Sequence, residues 1–344
     1  MLCKTDSNKE TVNKAMVWRV LSLFSGMAGT DVGFSEDVVV HRASVSVHWT
    51  SRPADTHGFV HLRRLPFETV FQNDILKDAK TIAELNGWAH NYVLRNIWEL
   101  LAENYPFPDA DVVTGGFPCQ DFSLAGKRRG FDSERGNLYK AFVEVVRRVT
   151  PKVFVAENVE GLLTIPGAIE TIVSDFAVLG YDVKHTLIKC EDYGLPQTRH
   201  RVIIMGVRKD LGLTWDLVLD NAGRRVPLRP YFEHLQEPNE SPDPAQQRYS
   251  KAGKLEKGQG QKAVDLDQPG PTMRAEHHGN IEFRRHGEGE RRLTVREAAL
   301  IQTFPPACQL TAGLTAYKPI GNAVPPLLGY LVARLVRRLL KKAE

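Results

Sequence analysis

Between residues 18 and 207, short runs of β-branched and aromatic residues alternate with longer stretches in which apolar positions recur every three or four residues. The runs at 17–24, 112–114, 153–156, 183–189 and 201–207 predict strands, and residues 71–75 read as the end of a third strand tipped by Asp74. Leu138, Phe142, Val145, Val146 and Val149 fall on one helical face that ends before Pro151, and Ile169, Ile172, Val173, Phe176 and Leu179 on another, closed by Gly180. Strands alternating with helices predict an α/β fold, a doubly wound, mainly parallel sheet. From residue 209 to 292 the helical period fades and Pro and Gly become frequent, which predicts a second, small, loop-rich domain with short strands. Helical periodicity returns at 293–301, where Thr294 and Glu297 are spaced as a capping box, and again in a final helix carrying Leu328, Leu331, Val332, Leu335, Val336 and Leu339. The chain thus divides into a polar tail (1–17), a main domain (18–208 and 293–344) and the intervening small domain.

Composition narrows the class. A chain of 344 residues with 42% hydrophobic positions supplies core for both domains. No apolar run approaches the roughly 18 residues of a membrane span, and the first 17 residues lack the apolar segment of an export signal, so a cytoplasmic protein without a membrane partner is expected. The four cysteines (3, 119, 190 and 308) are far apart and fit neither a disulfide framework nor a zinc site; no metal is expected. A net charge of +4 gives weak support for a polyanionic partner, and residues 209–292 are balanced, with 14 Lys plus Arg against 14 Asp plus Glu. Basic residues cluster at Lys127-Arg128-Arg129 and in the last helix, so any nucleic-acid surface must be a local groove.

Reactive residue types sit where strands end. Gly26, Gly29 and Gly33 follow the first strand, which suits a tight turn and close approach of a nucleotide-like ligand, although such a turn alone is a weak signal. Folds of this kind place an acid at the end of the second strand, about 20 residues on, to hold ribose hydroxyls. Residues 38–54 contain no acid, and four of the eleven histidines (41, 48, 57 and 61) fall between His41 and His61. Asp74 admits two readings, an acceptor for an adenine amino group or a helix cap. Gly115-Gly116 turns the chain into a loop bearing Cys119, which taken alone is as easily a small buried residue as a reactive thiol. Glu157-Asn158-Val159 ends another strand, and Arg199 and Arg201 project from the lip of a further one.

Together, Phe24-Ser-Gly-Met-Ala-Gly29, Asp74, Gly116-Phe-Pro-Cys-Gln120, Glu157-Asn-Val159, Gln197-Thr-Arg-His-Arg201, residues 296–305 and Gly321-Asn-Ala-Val-Pro325 resemble, in order, the motifs of the DNA cytosine-5 methyltransferases. The resemblance covers nearly the whole chain apart from residues 35–70 and 209–292. It implies methyl transfer from S-adenosylmethionine to C5 of a cytosine in duplex DNA, with the base flipped out. Cys119 would add to C6, Glu157 would bind N3 and the amino group, and Arg201, with Arg199, would orient the base. Phe24, Gly26, Gly29, Asp74, Ile75, Pro118, Leu138, Asn322 and Ala323 would line the cofactor. Gln120, Ser123, Lys127, Arg128, Thr272 and Arg274 would meet DNA, and His277, His278, Arg284 and Arg285 are further groove candidates. The family's ribose acid would fall at His48-Trp49-Thr50, where none stands; its loss would weaken cofactor binding by roughly ten- to a hundredfold. A restriction-modification methylase with a cognate endonuclease sharing its site, at the nucleoid, is the expected setting. A tRNA cytosine-5 methyltransferase or a catalytically impaired DNA-binding relative are the alternatives; the Cys-Phe-Thr tripeptide of the tRNA group is absent.

Overall fold

Strand β1 (Trp18–Leu23) is buried at every position except Arg19, as a central strand covered on both faces must be. The computed structural model describes residues 16–117, 138–221, 223–251, 253, 262–275, 282–286, 289–311 and 313–344. After β1 the chain turns into α1 (Gly29–Ser35) and then makes an excursion through three short strands, β2 (Val39–His41), β3 (Thr50–Pro53) and β4 (Phe59–Leu62). It continues through β5 (Phe67–Asp74), α2 (Lys77–Leu85), β6 (Tyr92–Leu94), α3 (Ile97–Ala102) and β7 (Val112–Gly115). Next come α4 (Leu138–Val149), β8 (Val153–Val159), α5 (Ala168–Val178), β9 (Tyr181–Lys189) and β10 (His200–Arg208). The remainder comprises α6 (Arg229–Phe232), β11 (Phe283–His286), β12 (Gly289–Arg292), α7 (Val295–Ile301), α8 (Tyr317–Asn322) and α9 (Pro326–Lys342).

Among the described residues the main sheet has seven strands in the order β6-β5-β1-β7-β8-β10-β9, parallel except for β10, which runs against both neighbours. The chain leaves β1 toward β5 and β6 and then crosses to β7, so the strand order reverses between β1 and β7, where such sheets open a crevice at their carboxyl ends. One face packs α3, α4 and α5 around Phe142, Phe154 and Phe176. The other carries α1 and α9, whose backbones touch: a Cβ on Gly33 would lie 2.4 Å from the Gly329 carbonyl carbon. Thr294 and Glu297 form the expected capping box at the start of α7.

Two expectations need correction. Residues 71–75 end the second strand of the sheet, not the third: β5 pairs directly with β1, and β6 is the third. The histidine-rich stretch is not a degenerate second strand but a separate antiparallel sheet in the order β2-β4-β3, inserted between α1 and β5. Val38-Val39-Val40 imitates the strand due after α1, which is why periodicity alone misplaces it. The described part of 209–292 also has no core of its own. Trp215, Leu217, Leu228, Tyr231 and Met273 belong to the same buried cluster as α1 and α9.

Candidate active site

The loop leaving β1 is strained in a way that only function or tight packing explains: Phe24 (φ 53°), Gly26 (φ 53°) and Ala28 (φ 67°) all occupy the left-handed region. Space is open around the Cα of Gly26. Gly29 must be glycine, because a Cβ there would lie 2.1 Å from the carbonyl oxygen of Val324. Beside this loop stands Asp74, at the carboxyl end of the second strand. Its Oδ2 accepts from Gly26 N–H (2.8 Å), and its Oδ1 from Ile75 N–H (2.7 Å) and Leu76 N–H (2.9 Å). Burial raises its pKa above the usual carboxylate range, and those three N–H groups oppose the shift. The inserted sheet comes before the second strand of the main sheet, so the acid at that strand's end is Asp74 and not a residue at 48–50. Ile75 follows it, 66% exposed, an apolar surface on which a flat ring can lie. Asn96, just past the end of β6, joins these tips, its side chain accepting from Trp98 N–H; sequence reasoning missed it, though an Asn closing a short apolar run is a signal that could have found it.

Beneath the loop lies a buried polar set that sequence reasoning missed. Ser25 donates to Ser22 Oγ (2.9 Å), and Ser22 donates to Asp31 Oδ2 (3.1 Å), which sits in the first turn of α1. Burial raises the Asp31 carboxyl to about 6, against its hydrogen bonds. Between pH 4 and 6 the folded chain therefore holds a proton that the unfolded chain has released, so this group's contribution to stability is full at low pH and lost as pH rises through about 6. Urea midpoints measured across that window should show the wild type losing up to about 3 kcal/mol relative to Asp31→Asn; parallel curves for the two proteins would contradict the assignment.

On the other side of the crevice, Arg201 Nε meets Glu157 Oε1 at 2.6 Å, with side-chain exposures of 12% and 16%. The pair follows from register: Arg201 opposes Val159 and Ile203 opposes Glu157 on neighbouring antiparallel strands. Arg201 Nη1 also donates to the carbonyl of His200 (2.6 Å). The second Glu157 oxygen faces Gly116, where a Cβ would stand 3.1 Å away. Asn158 ties the same place down by donating from Nδ2 to the carbonyl of Phe117 (3.0 Å). Pro118, Cys119, Gln120, Ser123, Lys127 and Arg128 lie outside the described residues, as do His277 and His278; Leu138 opens α4 beyond them.

Arg199 is not placed as the resemblance implies. It is 1% exposed, and its guanidinium donates to the carbonyls of Met273 (2.8 Å), Gly321 (3.1 Å) and Ala323 (3.1 Å). Burial first, then the neighbouring Arg201, lowers its pKa to about 9, so it stays charged at neutral pH. It braces the segment after β9 against residues 273 and 321–323. Gln197 and Gln302 extend the brace, with Gln197 Oε1 accepting from Met273 N–H (2.8 Å) and its Nε2 donating to Gln302 Oε1 (2.8 Å). Arg284 is likewise committed, paired with the fully buried Glu297. Arg285 is 79% exposed, near Glu290 (3.7 Å).

Arg201 opens onto a cleft of about 410 Å³ lined also by Val159, His200, Thr272, Arg274 and Asn322. Thr272 donates its hydroxyl to the carbonyl of Thr198 (2.8 Å), and the backbone of Arg274 rests on Gly321. Asn322 is exposed at the cleft and Ala323 is buried beneath it. The cleft therefore separates the strand tips bearing Val159 and Arg201 from residues 272–275.

The model of the C-5 cytosine-specific DNA methylase family matches residues 18–231 and 228–338. The Type II methyltransferase M.BsuRI of Bacillus subtilis is 33% identical over 96% of this chain and 80% of its own, and M.BspRI of Lysinibacillus sphaericus is 33% identical over 96% and 84%. Among solved structures, Spodoptera frugiperda DNMT2 superposes with a TM-score of 0.64 at 16% identity, covering 95% of this chain and 99% of its own. A putative DNA modification methyltransferase from an Escherichia coli prophage gives 0.60 at 19%, covering 94% and 99%. With a family match along most of its length and relatives 33% identical over 96% of it, the chain belongs to the C-5 cytosine-specific DNA methylase family and is a DNA cytosine-5 methyltransferase.

Proposed function

We infer that the protein takes its methyl group from S-adenosylmethionine and that Cys119, Glu157 and Arg201 act on a cytosine flipped out of duplex DNA into the 410 Å³ cleft. The observation that carries this reading is the Glu157–Arg201 pair, held at two strand tips beside Gly116 and Phe117, two residues before Cys119 in the chain. The donor, when bound, supplies an electrophilic sulfonium methyl. Cys119 is the nucleophile for C6, and its attack puts electron density on C5 and N3. Glu157, fixed through one oxygen by Arg201, offers the other to the amino group and N3 edge of the base, where charge develops. Arg199 acts at one remove, holding residues 273 and 321–323 in place.

The residues around β1 fit the donor. Phe24, Gly26 and Gly29 form the strained loop that brings backbone close to a ligand, and Asp74 stands where this fold holds ribose hydroxyls, with Ile75 as an apolar support. Leu138, Asn322 and Ala323 complete the described part of this lining. Asp74→Ala is expected to weaken S-adenosylhomocysteine binding roughly ten- to a hundredfold, as loss of a charged acceptor does. Calorimetry checks this, and an unchanged affinity would leave Asp74 only its bonds to Gly26, Ile75 and Leu76.

Residues 209–292 are assigned to target recognition, with Thr272 and Arg274 at the cleft and Arg285 exposed. Relatives named Type II methyltransferases favour a restriction-modification setting and a cognate endonuclease. Incubation with tritiated S-adenosylmethionine and either duplex DNA or tRNA tests the reading. Label in DNA is expected; label in tRNA alone would overturn it. None of the helices among the described residues is long and apolar enough to cross a membrane.

A further inference from the structure

Thr114 ends the buried part of β7, directly before the Gly115-Gly116 turn. It is 1% exposed, and its hydroxyl has no hydrogen-bond partner among the described residues. Buried hydroxyls are seldom left so, because burial without a partner is costly. Register fixes what the hydroxyl faces. Thr114 opposes Val155 on β8, Glu157 lies two residues further along the same face, and Glu157 opposes Ile203 on β10. On the other flank Thr114 opposes Ser22, whose hydroxyl is already committed to Asp31. Thr114, Glu157 and Thr30 border a cavity of about 10 Å³, lined also by Ile203 and Gly329. That volume is about the least that admits one water molecule, and a water there has polar neighbours on more than one side.

We propose that this cavity is a binding site for one ordered water, which links the Thr114 hydroxyl to the Glu157 carboxyl and makes Thr114 a positioning residue for it. The role rests on the reading of Glu157 as the group that meets the base. Arg201 holds one carboxyl oxygen from the side of the cleft, and the water steadies the group from below. Both are needed to aim a carboxyl at the edge of a flipped base, since small misplacements of a catalytic group are costly in rate.

A crystal structure of the full chain that resolves ordered solvent tests the site itself: density within hydrogen-bond distance of Thr114 Oγ1 and Glu157 is expected, and a dry cavity would overturn the proposal. Thr114→Val keeps the shape and removes the hydroxyl; Thr114→Ser keeps the hydroxyl. With water bound, the valine variant should melt below the wild type; were the hydroxyl unpartnered, its removal would raise the melting temperature and sink the idea. In single-turnover methylation, Thr114→Val should be about tenfold slower with unchanged S-adenosylhomocysteine affinity, and Thr114→Ser should recover most of the rate. A valine variant as fast as the wild type would refute the positioning role. A wild-type protein that methylates no DNA would instead overturn the reading of Glu157, while the water density and the melting shift still decide the site.

Discussion

Cys119→Ser should lower methyl transfer to duplex DNA by about 10³-fold or more while leaving S-adenosylhomocysteine affinity and the melting temperature unchanged. C5 of cytosine is too weakly nucleophilic to take a methyl group unless another group first adds at C6. A thiol can reach the ionised, nucleophilic form near neutral pH when positive groups or backbone N–H donors surround it; a serine hydroxyl under the same influences does not. Gly115 ends β7 and Gly116 follows it beside Glu157, so the chain leaves the strand toward Cys119 from the edge where the Glu157–Arg201 pair stands. Single-turnover assays with sequenced target DNA measure the loss. Retention of most of the rate by Cys119→Ser would mean that another residue attacks C6, and the partners drawn here would have to be reassigned.

The second large effect is expected at Glu157. Glu157→Gln keeps the side-chain shape but removes the charge that Arg201 neutralises at 2.6 Å. An amide still offers an oxygen to the base but cannot carry the acidic proton that N3 takes up as the thiol adds, so stabilisation is lost mainly in the transition state. The rate constant for methylation should fall by roughly 10²- to 10³-fold, with much smaller changes in DNA affinity. The variant also leaves the largely buried guanidinium of Arg201 without its counter-charge, and a lower melting temperature should accompany the kinetic loss. Equal falls in DNA affinity and rate would point to a binding role instead.

Much of this arrangement was legible in the residues because strand ends carry their own signals. The runs at 18–23 and 112–115 lead within four residues to Gly26 and Cys119, the run at 153–159 carries Glu157 near its end, and the sheet places the three strand ends along one edge. The second strand was harder. An inserted sheet of strongly β-forming sequence stands between α1 and β5, and pattern cannot distinguish an extra strand from the expected one; only the pairing of β5 with β1 shows that Asp74 ends the second strand. The two arginines near β10 were equally hard to separate. Arg201 lies within the strand, in register with Val159, whereas Arg199 precedes it and is turned under residues 273 and 321–323. Arg284 illustrates the same limit: a basic residue in a polar segment reads as a DNA contact until Glu297 is seen buried beneath it. The compositional change that marks the stretch 209–292 was readable in the sequence. Its shared core with α1 and α9 was not, because that core is assembled from residues distant in sequence.

Covalent trapping tests the central claim most directly. Duplex DNA in which cytosine is replaced by 5-fluorocytosine presents every possible target, and once the base is methylated the fluorine at C5 cannot leave as a proton does, so the bond to the enzyme persists. With S-adenosylmethionine present, the wild-type protein should form a complex with this DNA that survives denaturation, and Cys119→Ser should form none. Failure of the wild type to form that complex, or an unchanged complex with Cys119→Ser, would contradict the account.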